Sequence, residues 1–200
     1  MQTISDIETL ESLYGTPSEA ALIKVSDRLT PAYRRWIKAS RFAVLTTVGP
    51  EGTDGSPRGD AGPVVSVLDD QTLLMPDWRG NNRMDSLRNI VRDGRVSLMF
   101  MVPGSTSVIR VNGTAILTAD PELCGRFQRD GAGPKTVIVV AIGEVYSQCA
   151  RVLMRSGLWT SGDESAGLPT TGEMLTELKA GFDGAGYDAD WPGRATSSMW

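Results

Sequence analysis

Between residues 41 and 146 the chain carries six strand-like runs with few helical crossovers, and that pattern restricts the fold more than any other feature. The runs are 42–48, 62–68, 72–75, 95–102, 107–117 and 136–146. Turn formers separate them, among them the stretch Gly49-Pro50-Glu51-Gly52-Thr53-Asp54-Gly55 and the pair Asp69-Asp70. A parallel sheet needs a crossover, usually a helix, between successive strands. Here helical spacing inside this stretch appears at 82–92, with Met84, Leu87 and Val91 on one face, and at 120–128. No Gly-x-Gly-x-x-Gly follows a strand, so a dinucleotide-binding parallel sheet is disfavoured. The expected class is mostly β (α+β), a small, largely antiparallel barrel of six strands.

Helices flank this core. Spans 4–14, 18–29 and 32–39 form an N-terminal helical arm over 1–40. Ser18 is the expected N-cap of the second, and Thr30 with Pro31 supplies the cap and first position of the third. Asn82 with Asp85 resembles a capping box for the helix at 82–92, which Gly94 ends. After the barrel, at 41–160, a C-terminal part at 161–200 holds a helix at 171–180 and a Gly-rich tail from 181; a short helix runs from 149 to 155. With 200 residues, one domain with appendages is expected.

Composition removes whole classes of function. The formal net charge is -4, so no positive field draws the chain to nucleic acid. Residues 1–13 carry Asp6, Glu8 and Glu11 and lack the pattern of a signal peptide. The longest apolar run, 137–142, falls far short of the roughly 20 residues that span a bilayer. No membrane association and a cytoplasmic location are expected. There is no histidine, and the two cysteines, Cys124 and Cys149, are too separated for a metal knuckle. Histidine-based triads, histidine-ligated zinc and histidine-ligated haem are thereby excluded, no metal site is expected, and a cofactor must carry any difficult chemistry.

Two polar loops could hold one. Pro76-Asp77-Trp78-Arg79-Gly80-Asn81-Asn82-Arg83 joins a strand end to a helix start, where free backbone N–H groups favour an anion such as phosphate. Arg83 in the first turn opposes the helix dipole unless an anion offsets it. The same residues also fit a plain cap by Asn82 with Arg83 paired to Asp85. The second loop, Ser56-Pro57-Arg58-Gly59-Asp60, offers a forked cation at Arg58 and close backbone approach at Gly59. Alone it reads equally as a surface turn.

Ser56-Pro57-Arg58-Gly59-Asp60, the run from Leu74 through Arg83-Met84-Asp85-Ser86-Leu87-Arg88-Asn89-Ile90, then Arg95-Val96-Ser97-Leu98-Met99-Phe100 and Arg110-Val111-Asn112-Gly113, together resemble one branch of the pyridoxamine 5'-phosphate oxidase-like FMN-binding family. That resemblance implies a six-stranded split barrel, a homodimer, and FMN in grooves between subunits. It implies that Arg58 and Arg83 bind the FMN phosphate with Asn82 and Ser86 near it. Gly59, Asp60, Pro76 and Asp77 would lie along the ribityl chain and ring, with Gln148 and Trp159 reaching the ring from the other subunit.

The family's vitamin B6 enzymes hold substrate with a C-terminal Arg-x-His, which a chain without histidine lacks, and Val108 stands where many members place a glutamine. The expected function is therefore an FMN-dependent oxidoreductase acting on an unidentified small substrate, with pyridoxamine phosphate oxidation disfavoured. A flavin-binding sensor without turnover, or a binder of deazaflavin or haem, is the alternative.

Overall fold

A computed structural model describes residues 1–129, 131–149 and 151–199. Strand alternation builds its core. In β1 (Phe42–Gly49) every second residue from Ala43 to Thr47 is buried, and in β5 (Arg95–Met101) the buried set is Val96, Leu98 and Phe100. Side chains two apart share a face, so both strands turn their apolar set inward against Val111 of β6 (Ser107–Thr118) and Ile138, Val140 and Val145 of β7 (Val137–Cys149). β4 (Thr72–Pro76) is buried from Leu73 onward.

With β2 (Gly52–Gly59) and β3 (Ser66–Val67), the strands form one seven-stranded sheet in the order β2-β1-β5-β6-β7-β4-β3, every neighbouring pair antiparallel. The sheet is not closed by backbone pairing: β2 is one edge and β3 the other. The register of β6 on β7 shifts between Asn112 and Gly113, a bulge that sharpens the bend of the sheet. Gly113 belongs there because a Cβ would lie 2.0 Å from the carbonyl oxygen of Ala141.

Helices pack around the sheet. Before the barrel come α1 (Ile7–Ser12), α2 (Glu19–Ile23) and α3 (Pro31–Ala39). Thr30 accepts from the Tyr33 amide at 3.2 Å, Pro31 occupies the first turn, and Ile37 inserts into the core. α4 (Asp85–Arg92) lies on β1, where buried Asn89 donates to Thr47 Oγ1 at 3.1 Å. α5 (Pro121–Gly125) connects β6 and β7, and α6 (Arg151–Ser156) follows the barrel. Among the described residues no helix is long and apolar enough to cross a membrane.

The structure corrects several expectations. Among the described residues there are seven strands, not six, because the turn-rich stretch 49–55 is mostly the strand β2; only Pro50 and Glu51 form the hairpin turn, closed by the pair Gly49 and Gly52. β2 has no apolar residue but Pro57, so hydrophobic patterning could not show it. The expected strand at 62–68 shrinks to Ser66–Val67. Ser18 makes no side-chain cap, and α2 stops at Ile23 instead of running to 29.

After α7 (Thr171–Leu178) the tail from 181 is helical as well, with α8 (Gly184–Ala189) and α9 (Trp191–Ser197), and the three pack in sequence. Asp183 caps α8 through the Gly186 amide, and the Arg194 guanidinium lies 4.0 Å from the Tyr187 ring centre. Gly172 and Gly184 let α7 and α8 touch, since a Cβ at either would sit about 2 Å from the other's carbonyl oxygen. Close approach, rather than disorder, explains part of the glycine content. Asp130, Ala150 in the expected helix 149–155, and Trp200 in the expected tail lie outside the described residues.

A methyl group at the bulge cannot be accommodated without moving backbone. Gly113→Ala is expected to lower stability by about 3 kcal/mol, the upper range for overpacking. Gly55→Ala, which meets no atom within 4 Å, should leave the urea midpoint within experimental error of the parent protein.

Candidate functional site

β2 positions one wall of a cleft of about 1330 Å³. Along it Asp54, Ser56, Arg58 and then Asp60 are half-buried, while Thr53, Gly55, Pro57 and Gly59 are exposed. The period of two sends the four polar side chains to the same face, and all four line the cleft. The opposite wall is the loop 76–85 between β4 and α4, with Gly133, Lys135 and Thr136 beside it. Thr136 sits there because its carbonyl accepts from the Asp77 amide at 3.0 Å, one step beyond the β4–β7 ladder.

Side chains stitch the two walls together. Arg58 Nη1 donates to Asp77 Oδ1 at 2.6 Å, both side chains being about one-fifth exposed. The Asp60 side chain, only 3% exposed, accepts at Oδ2 from Trp78 Nε1 at 3.0 Å. At Oδ1 it accepts from the Gly62 amide at 3.1 Å and from Arg129 Nε and Nη2 at 3.2 and 2.9 Å. Burial by itself would raise the Asp60 carboxyl, but the Gly62 amide, the Arg129 guanidinium and the Trp78 indole outweigh it and hold the group below its usual 3.8.

One donor is left over. Among the described residues, Arg58 Nε and Arg194 Nε are the buried side-chain nitrogens or oxygens without a hydrogen-bond partner. Such groups are costly to leave unmade, and Arg58 belongs to the cleft wall.

The loop 76–85 is shaped by two left-handed residues, Asn82 (φ 59°) and Met84 (φ 60°), each costing roughly 1–2 kcal/mol for a residue with a Cβ. Met84 is the N-cap of α4, and no side chain caps that helix, so the expected capping box of Asn82 with Asp85 is absent. The α4 N-terminus is left with unpaired amides at the cleft rim. Arg83 pairs with Asp85 and is 79% exposed.

Of the residues expected at the site, Arg58, Gly59, Asp60, Pro76, Asp77, Asn82 and Arg83 come together in this cleft. Ser86 does not line it: buried in α4, it donates its hydroxyl to Asp54 from behind the wall. Gln148 and Trp159 are not in the cleft of the same chain. Gln148 is exposed on β7 opposite Val108, because that strand runs on to Cys149 instead of ending at the expected 146. Trp159 donates to the Ser105 carbonyl at 3.0 Å and packs on a second cluster formed by Val108 and Leu153 with Met99 and Met101.

The cleft also holds Ser56 and Trp78, which lay in the two candidate loops without a role of their own, and Asp54, Lys135, Thr136 and Met199, which the sequence did not assign to a site. The alternation of polar residues with Gly and Pro from 53 to 60 could have revealed Asp54. Nothing in the sequence points to Lys135 or Met199, which arrive through strand pairing and the course of the C-terminal helices.

Residues 29–149 match the profile described as pyridoxamine 5'-phosphate oxidase, more than half of the chain. The chain belongs to the pyridoxamine 5'-phosphate oxidase family. Two crystal structures of HupZ from Group A Streptococcus, one of a point variant, are 17% and 18% identical to it, cover about 60% of this chain and 95% and 98% of their own, and superpose with TM-scores of 0.50. General Stress Protein 26 from Bacillus anthracis is 17% identical over 57% of this chain and 88% of its own, with a TM-score of 0.45. An FMN-binding protein from Syntrophomonas wolfei is 14% identical over 57% of this chain and 86% of its own, with a TM-score of 0.41. The HupZ likeness concerns the fold, which for this family is a split barrel. No curated protein matches the chain. The three helices α7–α9 lie beyond the stretch that carries the family profile.

The depressed Asp60 carboxyl has a pH consequence. Its contribution to stability is complete above the unfolded-state value of 3.8 and is lost as pH falls through and below it. Thermal melts between about pH 5 and about pH 2 should therefore show a steeper loss of stability for the parent protein than for Asp60→Asn, which starts less stable and titrates less.

Proposed function

We propose that the cleft holds FMN and that the protein is an FMN-dependent oxidoreductase acting on a small substrate. The observation that carries this reading is the unpartnered Arg58 Nε, buried in the wall of a cleft that a family member forms from its signature residues. A guanidinium already oriented by Asp77 has its remaining donors preorganised for a phosphate fork. The uncapped α4 N-terminus supplies further N–H groups and a favourable dipole end on the same rim.

In this reading Arg58 anchors the phosphate, Arg83 releases Asp85 to join it, and Asn82 lines the approach. Ser86 acts indirectly by holding Asp54. Gly59, Asp60, Pro76 and Asp77 bound the ribityl and ring region. When bound, FMN supplies hydride exchange at its ring, while the protein contributes binding, orientation and exclusion of water.

A homodimer completes the site, with Gln148 and Trp159 of one copy serving the cleft of the other. What supports this is the surface around Trp159, where Val152, Met154 and Leu158 are all more than half exposed on a face already carrying an apolar cluster. A cytoplasmic setting fits the two unpaired thiols, Cys124 and Cys149.

Purified protein mixed with FMN and freed of excess should keep a flavin absorption spectrum at one equivalent per chain; a colourless protein removes the reading. Reduction of the bound flavin by NADH or NADPH in stopped flow supports turnover, and its absence with both leaves a binding protein. Arg83→Ala should weaken FMN by more than about 1 kcal/mol, the worth of a charge-assisted hydrogen bond, and Arg58→Lys should weaken it as well because an ammonium cannot reproduce the fork. Light scattering should give a dimer; a monomer that binds FMN tightly contradicts the shared site.

A further inference from the structure

Both walls of the cleft come from the barrel and its loops, yet one lining residue does not. Met199, just past the end of α9, belongs to the part of the chain beyond the family profile. It borders the cleft and is still 56% exposed. A side chain that lines a cleft and also faces water sits at the mouth.

What brings Met199 there is a body that holds itself together. Gly172 and Gly184 let α7 and α8 touch through their backbones, and Asp188 of α8 accepts from the Gly172 amide at 2.8 Å. The rings of Phe182 and Tyr187 lie 5.8 Å apart between centroids. Arg194 fastens α9 to α8: its guanidinium covers the Tyr187 ring, and Nη2 donates to the Tyr187 carbonyl at 2.6 Å. Among the described residues, the hydrogen bonds of α7–α9 stay within 170–199, and no ion pair joins these helices to the barrel.

The connection to the barrel is of a different kind. Residues 161–170 are exposed throughout. Gly162 and Gly167 adopt left-handed backbone, with φ of 79° and 81°, a region open at little cost to a residue without a Cβ. A self-held body on an exposed, glycine-punctuated tether turns as a unit, since few contacts resist rotation at the tether. At the cleft its apolar tip has something to close on, because Val64, Met84 and Leu87 are among the lining residues.

We propose that α7–α9 form a lid on the cleft, hinged at 161–170 and tipped by Met199, which closes over a bound ligand and bars water from it. The contact of the tip with the cleft is independent of what the cleft holds, whereas retention of FMN beneath the lid rests on the reading above.

Parent protein, Gly184→Ala, Met199→Ser and Gly193→Ala are compared by hydrogen exchange without ligand and by the rate at which bound FMN is released, followed through the return of free-flavin emission. A Cβ at Gly184 lies 2.2 Å from the Gly172 carbonyl oxygen and parts α7 from α8, while Gly184 is not among the residues lining the cleft. Met199→Ser leaves the body folded and removes its apolar tip. Gly193→Ala in α9 meets no atom within 4 Å and should match the parent. In Gly184→Ala and Met199→Ser the amides of the loop 76–85 should exchange several-fold faster, with those of β5 and β6 unchanged, and FMN should leave several-fold faster. Parent-like exchange at 76–85 in either folded variant overturns the lid. Faster exchange there with parent-like FMN release overturns its closure over a ligand. Lost protection across β5 and β6 in Gly184→Ala marks a misfolded barrel, and Met199→Ser then decides. A parent protein that retains no FMN refutes the cofactor reading by itself, and exchange at 76–85 still decides the lid.

Discussion

The ion pair between Arg58 and Asp77 is the contact on which the remainder of the site depends. An open antiparallel sheet has two edges whose N–H and C=O groups lack strand partners. Here β2 is one edge, while β4 reaches the other, covered by β3 only at Leu73 and Leu74. Side chains bring the two together where backbone pairing does not. Arg58 from β2 meets Asp77 just past β4, and two residues on, Asp60 meets Trp78. Between those ties the sheet stays parted, and the parting is the cleft.

Charge follows from the same geometry. Every second residue from Asp54 to Asp60, along β2 and one step past it, points into the parting, so a strand with one face on a cleft can be polar throughout. Those charges need local partners, and each has one: Asp54 receives the Ser86 hydroxyl, Arg58 takes Asp77, and Asp60 takes Arg129 and Trp78. The balance stops short at one atom, Arg58 Nε. A site preorganised by neutralised pairs with a residual donor suits a ligand that brings its own negative charge.

How much was legible varies with the source of the order. β1, β5, β6 and β7 were visible because their burial alternates in apolar residues, and α3 because Thr30 and Pro31 announce it. β2 was not, because its alternation is polar against Gly and Pro, a composition that also makes turns. The α4 boundary was misplaced for a related reason. Asn82 and Asp85 have the residue types of a capping box, yet the chain enters the helix through left-handed Asn82 and Met84. The helix α8 was masked by its glycines, of which Gly184 serves close packing with α7.

The sequence alone determined the antiparallel character of the barrel, the absence of histidine chemistry, the family, and seven of the residues that line one cleft. Those properties reside in residue type and local spacing, which survive without coordinates. Tertiary structure decided the rest: that 52–59 is an edge strand, that Ser86 faces Asp54 and not the cleft, that Gln148 and Trp159 lie away from it in one chain, and that Arg129 reaches Asp60. Each depends on how the sheet curls to bring its two edges together, a long-range outcome of packing that no window of neighbouring residues contains.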